Sequence, residues 1–64
     1  MLVQLEEAIN LRESRNFEES NRLLMRLIEE HPNDATLNYQ CAWSFDLLGE
    51  EASAVPYYEK AIEL

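Results

Sequence analysis

Few residues of this sequence have the chemistry of a catalytic or metal-binding group. The chain contains one histidine, His31, and one cysteine, Cys41. A zinc site or a nucleophile with its base needs several such groups, and the sequence offers no second histidine or cysteine. His31 precedes Pro32, where a cation interacts well with the C-terminal dipole of a helix, so we interpret it as a solvated or capping residue. Cys41 lies in an apolar stripe without a basic neighbour and is interpreted as a small core residue.

Four pairs of adjacent glutamates are the other candidates for chemistry, at positions 6 and 7, 18 and 19, 29 and 30, and 50 and 51. Adjacent helical residues point about 100° apart, so the two carboxylates of a pair do not converge on one proton or one calcium ion. We interpret the pairs as solvated helix faces. The sequence also has no glycine-rich phosphate loop, nucleophile elbow or zinc-ligand spacing. It therefore predicts a protein that is not an enzyme and that holds no metal ion and no cofactor.

Composition and charge narrow the remaining function classes. Thirteen acidic and five basic side chains among 64 residues give a net charge of -8, which repels phosphate backbones and anionic lipids. We therefore expect neither a nucleic-acid partner nor a membrane partner. The single cysteine cannot form an internal disulfide, no apolar run is long enough to span a membrane, and residues 1–7 lack the features of a signal peptide. These features predict a cytoplasmic protein.

The elements that position these residues are predicted to be helices. One glycine and two prolines provide too little turn chemistry for an all-β fold, while Ala, Leu, Glu and Arg favour helix. Apolar residues recur at helical spacing in four segments, which are 2–14, Phe17 to Pro32, 35–48 and 50–64. In the fourth segment we expect an early start with a mild bend at Pro56, and Ala54, Tyr58, Ala61 and Ile62 facing inward.

Three boundaries between these segments have recognisable signals. Asn16, followed three residues later by Glu19, resembles a capping box for the second helix. Pro32 ends that helix, and the side chains of Asn33 and Asp34 are suited to cap the third. Gly49 closes the third helix because glycine adopts the left-handed conformation of a helix C-terminus without strain.

The third segment is apolar on two sides. One stripe contains Leu37, Cys41, Phe45 and Leu48, and the other contains Tyr39, Trp43 and Leu47. Such a helix either packs on both sides, or packs on one side and binds a partner with the other.

Residues 1–34 and 35–64 have the pattern of two copies of one unit. A shift of 34 positions aligns residues of similar size and polarity, pairing Ala8 with Ala42, Leu11 with Phe45, Ser20 with Ala54, Leu24 with Tyr58, and Leu27 with Ala61. Small residues at positions 8, 42 and 54 suit close helix crossings, which exclude large side chains.

This period, with two helices per unit and Pro32 at the unit boundary, resembles the tetratricopeptide repeat (TPR). The second copy is the closer match, since Ala42, Phe45, Gly49, Ala54, Tyr58 and Ala61 fall at the characteristic small, aromatic and glycine sites. The first copy has Arg15, Ser20 and Leu27 where glycine, alanine and alanine are usual. The resemblance implies four antiparallel helices in a short right-handed α-solenoid, with the second repeat ending before a capping helix.

In this family the first helix of each pair lines the concave side of the array. The residues that map to this lining are Leu5, Ile9, Tyr39, Trp43 and Leu47, with Arg12 and Asp46 at the rim. The resemblance thus implies a scaffold that binds a peptide or protein through an apolar groove. Members that bind acidic chaperone tails line the groove with lysines and asparagines, so such tails are not expected here.

Alternatives remain open from the sequence. Tyr39 and Trp43 could instead pack against Leu5 and Ile9, or against a following repeat. The chain could also be a structural module that forms homo-oligomers through exposed apolar helix faces, because repeat arrays generally need about three units for stability. A third alternative is a recruitment domain of a larger enzyme.

Overall fold

The computed structural model describes residues 3–64, which form an all-α fold. Its helices are α1 (Val3–Glu13), α2 (Phe17–Glu30), α3 (Ala35–Leu47) and α4 (Glu51–Glu63). Each helix packs on the next one along the chain, so the fold is built from helical hairpins, and residues 3–64 contain no strand. The predicted all-α class and its four helices are confirmed. Met1 and Leu2, where the first predicted segment begins, lie outside the described residues.

The core lies where the two hairpins meet. A cluster of buried apolar side chains from three helices forms it, with Leu5 and Ala8 on α1, Leu24 and Leu27 on α2, and Leu37 and Cys41 on α3. Burial of this kind supplies the main favourable term in folding.

Small residues lie at the buried helix crossings, as the sequence predicts. Ala8 and Ala42 are 0% exposed, and Ala54 is 1% exposed. Ser20 stands in the first hairpin where Ala54 stands in the second, and its Oγ donates a hydrogen bond of 2.7 Å to the carbonyl oxygen of Ala8. The buried hydroxyl is therefore satisfied, and the serine keeps the close approach that an alanine would give.

The two hairpin loops have the same hydrogen-bond pattern, displaced by 34 residues. The Asn16 N–H donates to the Leu11 carbonyl at 2.8 Å, and the Glu50 N–H donates to the Phe45 carbonyl at 2.9 Å. One residue earlier in each loop, the N–H of Arg15 or Gly49 donates to a carbonyl three residues back, at 3.0 Å in both. This pair of bonds is the Schellman motif that ends a helix. The backbone thus repeats in the register that the sequence predicts.

The cap predictions have different outcomes. The Asp34 side chain accepts a 2.9 Å hydrogen bond from the Leu37 N–H, which confirms it as the N-cap of α3. The predicted capping box at Asn16 is wrong, because its side chain makes no cap bond to α2. Its backbone, with ψ at 64°, is outside the extended geometry that directs an N-cap side chain onto the helix.

A buried amide also fixes the connection between α2 and α3. Asn38 is 1% exposed, and its Nδ2 donates to the carbonyl oxygens of Pro32 at 3.1 Å and Asp34 at 2.8 Å. This contact ties the second repeat to the loop that precedes it, and the sequence pattern does not predict it.

Helix α4 begins early, as expected, and contains Pro56 within its length. Tyr57 turns toward the core, where its ring stacks on Phe45 with 5.7 Å between centroids. The prediction that Ile62 faces inward is wrong, because Ile62 is 85% exposed. Among residues 3–64, no helix follows α4 to pack over that side of it.

Candidate functional site

Helix α3 is buried on one side and open on the other. Leu37 and Cys41 are 0% exposed, whereas Tyr39 is 47% exposed and Trp43 and Leu47 are each 38% exposed. The two apolar stripes predicted for this helix therefore have different environments. The first stripe belongs to the core, and the second lies at the surface of the described chain.

The exposed stripe forms part of a continuous aromatic surface. The Tyr39 ring lies 6.3 Å from the Trp43 ring at an interplanar angle of 50°, and it meets the Tyr58 ring edge-on at 5.8 Å. Both separations are within the range of favourable aromatic pairs. We call the surface formed by Tyr39, Trp43, Leu47 and Tyr58 the aromatic face. From the sequence, Tyr58 is expected only to pack, as an aromatic residue beside a helix crossing.

Arg12 borders the aromatic face and stacks on one of its rings. Its Cζ is 3.7 Å from the centroid of the Trp43 ring, and its Nη1 donates a 2.5 Å hydrogen bond to Oε1 of Gln40. Partial burial lowers the pKa of the Arg12 guanidinium, but a guanidinium stays charged at neutral pH. This cation–π stack joins α1 to α3 and holds the indole in place.

Asp46 borders the aromatic face at Tyr58. Its Oδ2 accepts a 2.5 Å hydrogen bond from the Tyr58 hydroxyl. This bond to a carboxylate raises the pKa of Tyr58 to about 12, because deprotonation would place two negative charges together. The face is thus bordered by a cation and a carboxylate.

Two residues predicted to line the groove pack in or against the core. Leu5 is 5% exposed and belongs to the core cluster, and Ile9 is half-buried against that cluster. Leu5 therefore has almost no surface to offer a partner, which corrects its assignment to the lining. The open surface comes from α3 and α4, with Arg12 as the contribution of α1.

The groups with potential chemistry stand apart from the aromatic face. The Cys41 Sγ lies 3.6 Å from the Leu24 carbonyl oxygen, and burial raises the pKa of this thiol to about 12, so it stays protonated and poorly nucleophilic. His31 is exposed at the end of α2, where its backbone N–H donates to the Leu27 carbonyl. In the part of the chain that the structure describes, no three histidine, cysteine or acidic residues form a group that could hold a metal ion.

Comparisons with protein-family models, with curated proteins and with solved structures gave no match. Among the described helices, none has the length and apolar character needed to cross a bilayer. The function is therefore inferred from the sequence pattern and from the geometry of the aromatic face.

Proposed function

We propose that this chain is a protein–protein interaction scaffold that binds a peptide or protein segment through the aromatic face. The observation that carries the proposal is the exposure of Tyr39, Trp43 and Leu47 on a helix whose other side buries Leu37 and Cys41 in the core. Trp and Tyr are enriched among the residues that dominate binding energy, and clustered exposed apolar side chains mark interaction sites. Binding without catalysis, in the cytoplasm, agrees with the composition of the sequence.

The arrangement of the face supports tight binding because its side chains are held before a partner arrives. Trp43 is stacked under Arg12, and Tyr58 is hydrogen-bonded to Asp46. Ordering a mobile side chain costs roughly 0.5 to 1.5 kcal/mol on binding, so rings that are already fixed lose less entropy.

The internal repeat supports the assignment to the TPR class. The register of 34 residues, the alanines at the crossings and the matched loop hydrogen bonds agree with that architecture. In such arrays the first helix of each pair lines the ligand-binding concave side, and α3 is the first helix of the second pair. On the proposed assignment, the exposed stripe of α3 corresponds to the ligand-binding side, which supports the proposal.

The chemistry of the face indicates the class of ligand. Three aromatic rings and Leu47 suit an apolar segment, either an amphipathic helix or an extended peptide. Arg12 at the border of the face can bind a carboxylate or backbone carbonyl, while Asp46 can accept a hydrogen bond. The net charge of -8 disfavours strongly acidic ligands and nucleic acid.

Selection of random peptides on the immobilised chain tests this proposal. Peptides that bind the natural sequence should share aromatic or aliphatic residues, and the double variant Tyr39→Ala, Trp43→Ala should lose at least roughly tenfold in affinity for them. Val3→Ala is the matched control, because Val3 is an exposed apolar residue of α1 outside the face. Circular dichroism should show that both variants keep their helices. Equal affinity of the double variant and the control would reject the proposal.

A further inference from the structure

A second apolar surface lies between α3 and α4, on the side of α4 that faces away from the core. It is an open groove of about 470 Å³ with Ile62, 85% exposed, at its edge. Its lining consists of Ala35, Thr36, Tyr39, Tyr58, Ala61 and Ile62.

The register of the repeat relates this groove to the core of the protein. Tyr39, Tyr58, Ala61 and Ile62 stand 34 positions after Leu5, Leu24, Leu27 and Ile28. In the first repeat these counterparts are members of the core cluster or pack against it, and there they meet α3 through Leu37 and Cys41. The groove is therefore the copy, one repeat later, of a surface that a helix covers in the first repeat.

The contacts of that covering helix show what the groove requires. In the first repeat Cys41 lies against Leu24, and Asn21 Nδ2 donates a 2.8 Å hydrogen bond to the Ser44 hydroxyl. The counterpart of Asn21 on α4 is Val55, which is 51% exposed. A helix over α4 therefore needs an apolar residue where α3 has Ser44.

The first helix of each repeat carries a charged residue at equivalent positions, and this charge is positive in the first repeat and negative in the second. Arg12 of α1 reaches α3, where it stacks on Trp43 and donates to Gln40. The counterpart of Arg12 on α3 is Asp46, an exposed carboxylate. A helix in the groove would therefore meet the negative charge of Asp46. Lysine or arginine is favoured on that helix at the positions equivalent to Gln40 and Trp43 of α3.

We propose that this groove binds a basic amphipathic α-helix of a partner protein. Its apolar side carries aliphatic residues at the places that Leu37, Cys41 and Ser44 occupy in α3, and its cation pairs with Asp46. The net charge of -8 on this chain adds a general attraction for such a helix. This inference goes beyond the proposed function, since it assigns a second occupant and a surface that extends to Val55 and Ile62, although Tyr39, Tyr58 and Asp46 also belong to or border the aromatic face.

A second copy of the chain fits the groove less well. In the same register α1 is the counterpart of α3, so Glu7 of another copy would occupy the place of Cys41, against Tyr58. A carboxylate buried there without a cation is unfavourable, and two copies that each carry -8 repel one another.

Two synthetic helical peptides test the proposal on the whole chain. Both peptides copy residues 35–48 with leucine in place of Cys41 and Ser44. The lysine peptide has lysine in place of Gln40 and Trp43, and the glutamate peptide has glutamate at these two positions. Fluorescence anisotropy gives the affinity of each labelled peptide. The lysine peptide should bind at least roughly tenfold more tightly, and Asp46→Lys should reverse that preference.

Variants separate this groove from the aromatic face. Val55→Ser with Ile62→Ser should weaken the lysine peptide by roughly tenfold, whereas Val3→Ser and Trp43→Ala should not. Peptides selected for the aromatic face should instead be weakened by Trp43→Ala and not by the double serine variant. Failure of one proposal is therefore distinguishable from failure of the other. Equal affinity for the two peptides, or no effect of the double serine variant, would overturn the inference. Sedimentation that shows a dimer abolished by Ile62→Ser would also overturn it, because the occupant would then be a second copy.

Discussion

Arg15 and Gly49 stand 34 positions apart and share a left-handed backbone, with φ at 67° and 76° respectively. Each residue follows the first helix of its hairpin and donates the same loop hydrogen bond. An L-residue with a side chain pays roughly 1 to 2 kcal/mol for this conformation, whereas glycine does not. The first hairpin therefore stores strain that the second avoids.

Replacing Arg15 by glycine should stabilise the protein by about 1 kcal/mol, because it removes this backbone strain. Gly49→Ala should destabilise it by about 1 kcal/mol. Apart from its own residue and its two chain neighbours, a Cβ at position 49 would meet no atom within 4 Å, so the cost there comes from the backbone alone. Urea unfolding followed by circular dichroism measures both changes. Arg15→Ala, which keeps a Cβ, serves as the control and should give no comparable gain; an Arg15→Gly variant no more stable than this control would contradict the explanation.

Enlarging a crossing residue should disturb the second hairpin. Ala42 is 0% exposed, so Ala42→Leu should overpack the contact and destabilise the fold by roughly 1 to 3 kcal/mol. Ala52→Leu is the matched control, because Ala52 is exposed on α4. Thermal melting that finds the same stability for the two variants would count against a tight crossing at Ala42.

The N-caps of α2 and α3 should differ in their contribution to stability. Asp34→Ala removes the side-chain acceptor of the Leu37 N–H and should cost about 1 kcal/mol. Asn16→Ala, at the equivalent position before α2, should cost much less because the Asn16 side chain makes no cap bond. Chemical denaturation of the two variants under one set of conditions gives the comparison, and equal losses would contradict the assignment.

Stability should fall at alkaline pH. Burial raises the pKa of Cys41 from 9.0 to about 12, and the bond to Asp46 raises that of Tyr58 from 10.0 to about 12. Above about pH 9 the unfolded chain releases these protons while the folded chain retains them, so the free energy of unfolding decreases with rising pH. Cys41→Ala should make this decrease shallower between about pH 9 and about pH 12, as measured by urea titrations. An unchanged slope would show that the thiol does not contribute.

Local signals in the sequence sufficed to predict the four helices and the two apolar stripes of α3, but not that the second stripe is exposed. These signals depend on contacts between residues close in sequence, such as the cap of α3 by Asp34 and the left-handed turn at Gly49. The exposure of Leu5 and Ile62 depends instead on whether another helix lies over them. The repeat assigns Ile28 and Ile62 to equivalent positions. Helix α3 follows α2 and packs over Ile28, whereas no described helix follows α4, so the periodicity alone could not predict that Ile62 is exposed.

The details of the aromatic face were also beyond sequence reasoning. The Arg12 stack on Trp43 and the bond from Tyr58 to Asp46 join residues of different helices, and they depend on how the hairpins are oriented. Similarly, the strain at Arg15 was visible in the sequence only as a missing glycine. The backbone hydrogen bonds show that the turn is kept despite it.

Binding of a protein ligand by the aromatic face can be observed directly at Trp43. Trp43 is the only tryptophan of the chain, so its indole N–H gives one distinct signal in a nitrogen–proton correlation spectrum. Titration of labelled protein with a peptide selected on the natural sequence should shift this signal together with the amides of Tyr39 and Leu47. Shifts confined to α1, α2 and their loop, with the indole signal unmoved, would contradict the claim.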